Sequence, residues 1–135
     1  MQYLLDTDTC IFTTRQRPPE VKERLEEVGF AAVCLSVITF YELSYGAEKY
    51  PMPIKARANL RAFLHPFHVL PWTKECAAEA AKIRAILEKR GEVIGPYDIQ
   101  IAAHAKALGL TVVTNNEREF RRVDGLKVVN WCPRP

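Results

Sequence analysis

The sequence lacks the residue spacings of zinc-binding and disulfide-stabilised proteins. Its four cysteines are scattered along 135 residues with no Cys-x-x-Cys pair, which argues against both a zinc ribbon and a disulfide framework. Its three histidines show no zinc-ligand spacing with those cysteines, so they do not indicate a zinc site either. We expect the cysteines to be reduced.

Long apolar runs and targeting signals are also absent. No apolar run approaches the roughly 20 residues that would span a bilayer. The N-terminus does not show the basic and then apolar order of a signal peptide, because a strand-like run begins at once. We therefore expect a cytoplasmic protein with no membrane partner. A composition of 48% hydrophobic and 26% charged residues, without repeats or linkers, predicts a single domain over residues 1–135.

The modest net charge of +3 hides an uneven distribution. If the acids at positions 6, 8, 42 and 98 are set apart, 19 Lys and Arg stand against about 12 other acids. A basic body around an acidic centre suits an enzyme that acts on a polyanion, because the body attracts phosphates and the centre accepts them only with a cation. Solubility alone also explains surface Lys and Arg, so charge does not separate the two interpretations.

Strand-like apolar runs alternate with helical patterns along the chain. The runs lie at 3–6, 31–35, 67–70, 110–114 and 128–131. The helical segments lie at 7–14, 18–28, 37–47, 54–64, 73–90, 96–108 and 117–120. This alternation predicts an α/β fold whose parallel strands are connected by crossover helices.

The first apolar run ends abruptly on acids. Leu4 and Leu5 are followed by Asp6, and Asp8 comes two residues later. Ligands of open α/β sheets bind just outside the carboxyl ends of the strands, so a strand that ends on an acid directs that acid toward the expected site. Capping of the next helix by Asp6 or Asp8 is the alternative interpretation.

Two later acids lie on helix faces that are otherwise apolar. Glu42 follows Ile38 by four residues and precedes Tyr45 by three, which places it on the apolar stripe of segment 37–47. Asp98 lies in the first turn of segment 96–108, on the stripe that continues through Ile101. A buried carboxylate must be paired, hydrogen-bonded or bound to a cation. An Arg partner for Glu42 and the helix dipole for Asp98 are the alternatives.

A proline break at Pro51 and Pro53 joins two amphipathic helices into a predicted hairpin. Large apolar side chains give this hairpin one continuous face, formed by Tyr45, Tyr50, Met52, Leu60 and Phe63. Such a face packs on something. The protein's own core and the surface of a partner protein are equal alternatives.

Four short motifs stand in order along nearly the whole chain: LLDT at 4–7, LSVITFYEL at 35–43, YDIQIAA at 97–103 and VTNNEREF at 113–120. Together they resemble the PIN-domain ribonucleases, and among them the VapC-type toxins of bacterial and archaeal toxin–antitoxin pairs. The resemblance implies a PIN-like three-layer α/β/α fold with a parallel sheet of about five strands. It further implies a Mg²⁺ or Mn²⁺ site, endonucleolytic cleavage of RNA, a homodimer, and an antitoxin that inserts into the site.

The resemblance also implies roles for individual residues. The catalytic residues are Asp6, Glu42, Asp98 and Asn116, and the metal ligands among them are Asp6 and Asp98. Supporting positions are Thr7, Asp8, Ser36, Thr114 and Glu119. The RNA backbone is contacted by Arg118, Arg121 and Arg122, while the apolar face of the hairpin forms a groove beside Glu42 for the antitoxin.

Two positions depart from the pattern of these toxins. Asp8 stands where they often have Asn or Ser, and Asn116 stands where many have a fourth acid. An amide oxygen still holds a metal-bound water, so Asn116 is interpreted as a weaker ligand with outer help from Glu119, three residues on.

Elementary electrostatics agrees with a metal site. Carboxylates about 5 Å apart repel by roughly 3 kcal/mol per pair at an effective dielectric near 20, so a cluster of three ionises fully only around a cation. Oxygen ligands suit Mg²⁺ or Mn²⁺ rather than zinc. We hypothesise that the metal lowers the pKa of a water, which attacks a phosphodiester in line and leaves a 5′-phosphate.

Two other functions compete with the ribonuclease interpretation. The order Asp6-Thr7-Asp8-Thr9 resembles the Asp-x-Asp-x-Thr motif of haloacid-dehalogenase-type phosphatases, although that class needs paired acids late in the chain, where only Asn115 and Asn116 stand. The second alternative is a non-catalytic module that binds RNA or a partner and has lost its metal.

Overall fold

Five parallel strands form the centre of the computed structural model, which describes residues 1–133. The strand order is β3-β2-β1-β4-β5, so the first strand of the chain is the central one. The strands are β1 (Tyr3–Leu5), β2 (Val33–Ser36), β3 (His68–Leu70), β4 (Thr111–Val113) and β5 (Lys127–Val129). The predicted parallel sheet of five strands is confirmed.

Seven helices connect the strands within these residues. They are α1 (Thr7–Arg15), α2 (Pro19–Val28), α3 (Val37–Lys49), α4 (Pro53–Leu64), α5 (Lys74–Arg90), α6 (Pro96–Leu108) and α7 (Glu117–Phe120). A 3-10 turn at Phe30–Ala32 precedes β2. This turn occupies the first two residues of the predicted strand 31–35, because Gly29, with φ of 81°, starts a turn in which the Ala32 N–H bonds to the Gly29 carbonyl.

The helices cover both faces of the sheet, which confirms the three-layer α/β/α arrangement. On one face, Leu4 and Val112 pack with buried residues of α5 and α6 such as Leu87 and Ile101. On the other face, Leu5 packs with α1 and α2, and with Phe63 and Leu64 of α4. Alternate residues of β1 thus enter opposite cores, as the pleat of a strand requires.

Helix starts and ends follow the sequence signals closely. Ser36 caps α3 by accepting a hydrogen bond from the Ile38 N–H at 3.1 Å, as its position before an apolar helix predicts. Pro96 opens α6, and Gly109 ends it in the left-handed conformation with φ of 68°, which glycine adopts without strain. The start of α6 fixes the backbone that carries Asp98.

Among residues 1–133, no helix is both long enough and apolar enough to cross a membrane. All four cysteines are free thiols. The single-domain span of 1–135 stays a prediction, and its last two residues lie outside the described part of the chain.

Candidate active site

The carboxyl ends of the three middle strands bring polar residues side by side. Leu5 pairs in register with Leu35 on one side and Val113 on the other, so the next residues along the three strands, Asp6, Ser36 and Thr114, are neighbours at the sheet edge. All three are buried. Open α/β sheets bind their ligands just outside the carboxyl ends of the strands. This row of buried polar groups therefore lies at the expected ligand site.

Asp6 both caps a helix and supplies an acid to the sheet edge. Its Oδ1 accepts a hydrogen bond from the Thr9 N–H at 2.9 Å, which caps α1. Its side chain is only 3% exposed. Burial raises the pKa of Asp6 above its ordinary value, while hydrogen bonds from Thr114 and Thr9 oppose that rise. The capping and site interpretations are therefore compatible, and the cap fixes the carboxylate in place.

Glu42 is held by a hydroxyl group. The Thr7 Oγ1 donates to Glu42 Oε1 at 2.6 Å and lies 3.3 Å from the Thr39 hydroxyl. No Lys or Arg of the described chain forms an ion pair with Glu42. The Arg partner that the sequence left open is thus not found in residues 1–133, and Thr7 orients this acid across the gap between α1 and α3.

The pKa of Asp98 is affected by the charges of other acids of the site. Burial, followed by the charges of Asp6, Glu119, Glu42 and Asp8, raises its pKa from 3.8 to about 6. The charges of these acids therefore act on one another, while the catalytic and metal-binding roles that the sequence predicted for them stay predictions.

Asn116 and Glu119 act as a pair. The Asn116 Nδ2 donates to Glu119 Oε2 at 2.9 Å, and the Asn116 backbone N–H donates to Thr114 Oγ1 at 2.8 Å. The amide thus holds the Glu119 carboxylate, whose charge acts on Asp98. The predicted roles of Asn116 as a weak ligand and of Glu119 as outer help stay predictions.

His104 lies beside the site, although the sequence suggested no role for it. Its Nδ1 is 2.7 Å from Ser36 Oγ, and the ring is 1% exposed. Burial lowers its pKa, which keeps the imidazole neutral. Its Nε2 has no hydrogen-bond partner within residues 1–133. The sequence signal that could have indicated a buried histidine is the run of apolar residues on both sides of His104. The structure agrees with that signal, because positions 101–105 of α6 are all buried.

The acids approach one another without closing into a cage. No three His, Cys, Asp or Glu side chains in residues 1–133 are placed so that they could hold a metal ion by themselves. Asp6 is tied to Thr9, and Glu42 is tied to Thr7. The donor set nevertheless fits Mg²⁺ or Mn²⁺, because it consists of carboxylate, amide and hydroxyl oxygens. The raised pKa of Asp98 also reflects negative charge that a cation would offset.

The three arginines near α7 have different surroundings. Arg118 is exposed and makes no hydrogen bond or ion pair with another described residue. Arg121 donates to Glu117 Oε1 at 3.1 Å and to the Val128 carbonyl at 3.3 Å. Arg122 donates to the carbonyls of Glu92 and Val93 in the connection before α6. Arg122 therefore joins two loops, and Arg118 is the one with a free guanidinium.

The predicted hairpin face divides into two surfaces. A groove of about 970 Å³ lies between α1–α2 and α3–α4, and Tyr50, Leu60 and Phe63 line it. Tyr45 and Met52, both more than half exposed, lie outside it. Glu42 does not line this groove either, although its neighbour Leu43 does, because successive residues of a helix point about 100° apart.

The central strand of the parallel sheet ends on the buried Asp6, and the charges of Asp6, Glu119, Glu42 and Asp8 all act on Asp98. This arrangement defines a class of α/β proteins with an acid-lined site at the carboxyl end of the sheet. The PIN domain matches residues 3–126 of the chain. Over 132 residues the chain is 42% identical to the tRNA(fMet)-specific endonuclease VapC of Salmonella typhimurium, covering 98% of this chain and 99% of that protein. It is 33% identical to ribonuclease VapC2 of Rickettsia felis, with 97% and 98% covered.

Solved structures give the same result. The chain superimposes with a TM-score of 0.92 on a chain of DNA-bound VapBC from Salmonella typhimurium, at 42% identity, covering 98% of this chain and 99% of that one. The TM-score is 0.84 for FitAcB from Neisseria gonorrhoeae, at 30% identity, with 96% and 98% covered. The chain therefore belongs to the PIN-domain family and, within it, to the VapC ribonucleases. This family membership excludes the phosphatase alternative.

Proposed function

We propose that this chain is a Mg²⁺- or Mn²⁺-dependent endoribonuclease and the toxin of a type II toxin–antitoxin pair. The observation that carries the proposal is the position of the partly buried Asp98 within reach of other acids, because burial, followed by the charges of Asp6, Glu119 and Glu42, raises the pKa of Asp98 to about 6. Two relatives at 41–42% identity are named tRNA(fMet)-specific endonucleases. We extend tRNA as a substrate class to this chain, and we propose that it acts in the cytoplasm.

The proposed roles follow from the contacts. Asp6 and Asp98 hold the cation, because they are the most buried acid and the acid most affected by its neighbours. When bound, the cation supplies Lewis-acid chemistry that activates a water for in-line attack on the phosphodiester and offsets phosphate charge. Glu42, oriented by Thr7, accepts the proton of the attacking water. Glu119 supplies the fourth carboxylate.

Uncharged residues keep these acids in position. Asn116 holds Glu119 through its amide group, and Thr114 binds both Asp6 and the Asn116 backbone. Ser36 fixes the start of α3, and therefore the direction of Glu42, through its cap. Exposed Asp8 contributes charge only. Outside the acids, Arg118 offers the free cation that contacts the RNA backbone.

The partner is proposed to be a cognate antitoxin. Structures similar to this chain include toxin–antitoxin complexes, among them VapBC from Rickettsia felis. The groove lined by Tyr50, Leu60 and Phe63 has a size and apolar character that suit an amphipathic helix. A homodimer, which the family resemblance implies, stays a prediction.

Manganese binding separates the enzyme from a non-catalytic module. Isothermal titration of the partner-free protein with Mn²⁺ is expected to show one saturable site. Asp6→Asn and Asp98→Asn should weaken that binding by at least about 10- to 100-fold, since even outer partners of a metal site contribute that much. Asp124→Asn is the matched control, because Asp124 is an exposed acid paired with Arg90 far from the site. A wild type that shows no saturable binding of Mn²⁺ would support the module instead.

A further inference from the structure

Two exposed tyrosines lie near the acids of the site, because the charge of Glu42 contributes to a raised pKa of Tyr97, and the proposed chemistry does not use them. Tyr41 immediately precedes Glu42 on α3, and Tyr97 immediately precedes Asp98 on α6. Tyr41 is 53% exposed and Tyr97 is 40% exposed. Large aromatic side chains with this much contact with water, next to a site, need a reason beyond packing.

The two rings form a pair that bridges the helices carrying the acids. Their centroids are 5.7 Å apart with an interplanar angle of 44°. A hydrogen bond between the two side chains raises the pKa of Tyr97, and the nearby charge of Glu42 acts in the same direction. The ring contact joins α3 to α6 and leaves substantial ring surface of both side chains in water.

A ribonuclease has a specific use for such rings. Sequence-tolerant binding of unpaired RNA relies on aromatic side chains on which bases stack. An RNA strand whose phosphodiester reaches Asp6 and Asp98 must pass the residues that border them. The tyrosines differ from the proposed phosphate contact, Arg118, because they offer ring faces and no positive charge.

We propose that Tyr41 and Tyr97 form a binding site for one unpaired nucleobase next to the cleaved phosphodiester. This inference rests on the proposed function, since it concerns how that function selects unpaired RNA. The base stacks on the ring pair, and this contact adds affinity for the RNA strand beside the acids. The surface of α3 continues through Val37, Phe40 and Tyr45, which are also exposed. A second copy of the chain is therefore the competing occupant that the experiment must distinguish.

The test uses an Asp98→Asn background, in which RNA binds without being cut. The probes are short single-stranded oligoribonucleotides of one sequence, each with the fluorescent base 2-aminopurine at a different position. A matched set carries an abasic nucleotide at each of those positions instead. At one position, 2-aminopurine fluorescence is expected to be quenched on binding. Tyr97→Ala and Tyr41→Ala should relieve the quenching and weaken binding by about 5- to 150-fold, the range measured for loss of one stacked base.

Matched variants make the result specific to the rings. Tyr97→Phe and Tyr41→Phe keep the ring and should keep the quenching. Leu108→Ala, an exposed residue at the other end of α6, should change nothing. The loss from Tyr97→Ala and the loss from the abasic nucleotide should not add, because both remove the same contact. With Asp98 restored, Tyr97→Ala should raise KM and leave kcat nearly unchanged.

Four outcomes overturn the inference. Additive losses from Tyr97→Ala and the abasic nucleotide would mean that ring and base do not meet. A fall in sedimentation coefficient for the Ala variants, with unchanged affinity per chain, would make this surface an interface between copies. Wild-type cleavage of RNA with all tyrosine variants fully active would remove the base site and leave the proposed function standing, whereas a wild type that neither binds nor cuts RNA would overturn both.

Discussion

Replacing Asp98 with asparagine is expected to reduce RNA cleavage by at least about 100- to 1000-fold, the loss typical for removal of one charged group that acts in the transition state. Asn keeps the size of the side chain and removes the charge on which Asp6, Glu119 and Glu42 act. Initial rates of purified, partner-free protein in Mg²⁺ measure the effect. Asp124→Asn is the control, and it should cleave like the wild type because Asp124 pairs with Arg90 at the surface.

The same substitution should leave the metal-free fold as stable as the wild type or more stable at neutral pH. The pKa of Asp98 is about 6 in the folded protein against 3.8 ordinarily. A raised folded-state pKa gives a stability contribution that is fully present below about pH 3.8 and is lost as the pH rises through about 6. The ionised carboxylate therefore costs at most about 3 kcal/mol at neutral pH.

Thermal melts in EDTA from pH 4 to pH 8 measure this directly. The melting temperature of the wild type should fall relative to that of Asp98→Asn as the pH rises, and the two should agree near pH 4. Asp6→Asn should behave in the same direction, since burial also raises the pKa of Asp6 and Asn still caps a helix. A wild type that is the more stable protein at pH 7.5 would instead indicate that these acids serve the fold.

The second large effect concerns antitoxin binding. Changing Tyr50 and Leu60 to serine should weaken the complex with the cognate antitoxin by about 30-fold or more, as removal of central apolar anchors does. Both residues line the groove. RNA cleavage by the partner-free variant should be unaffected, because neither residue contacts the acids. Titration of antitoxin against cleavage activity measures both properties in one experiment.

Phe63 is the wrong residue for this test, although the sequence suggested it together with Leu60. Phe63 belongs to the core on the α4 side of the sheet, with its ring 5.1 Å from that of Phe67. Its loss would damage the fold. Ile54→Ser is the matched control, since Ile54 lies on the same helix, is 80% exposed and does not line the groove. Equal affinity of Tyr50→Ser/Leu60→Ser and Ile54→Ser variants would place the antitoxin elsewhere.

Local sequence signals were sufficient to locate the parts of the site that lie at the ends of helices and strands. Asp6 follows a three-residue strand, and Ser36 precedes an apolar helix, so strand tip and cap were both visible in the sequence. Pro96 and Gly109 marked the limits of the helix that carries Asp98, which is partly buried in the first turn of α6. These features depend on neighbours within a few residues.

Contacts between distant residues could not be read in the same way. The bonds from Thr7 to Glu42 and from Ser36 to His104 join residues 35 and 68 positions apart, and no periodicity specifies such pairs. The hairpin face was predicted as one surface because helical spacing shows which residues share a stripe. Spacing does not show which stripe a neighbouring helix covers. The structure was therefore needed to show that some residues of the hairpin line the groove beside α1 and α2, whereas Tyr45 and Met52 are exposed outside it.

RNA cleavage in the presence and absence of a divalent cation tests the central claim most directly. Purified, partner-free protein is incubated with RNA in EDTA, and Mg²⁺ or Mn²⁺ is then added in excess of the chelator. The account predicts no cleavage in EDTA, recovery on addition of either cation, and no recovery for Asp98→Asn. Cleavage by the wild type that persists in EDTA, at a rate unchanged by added cation, would contradict the account.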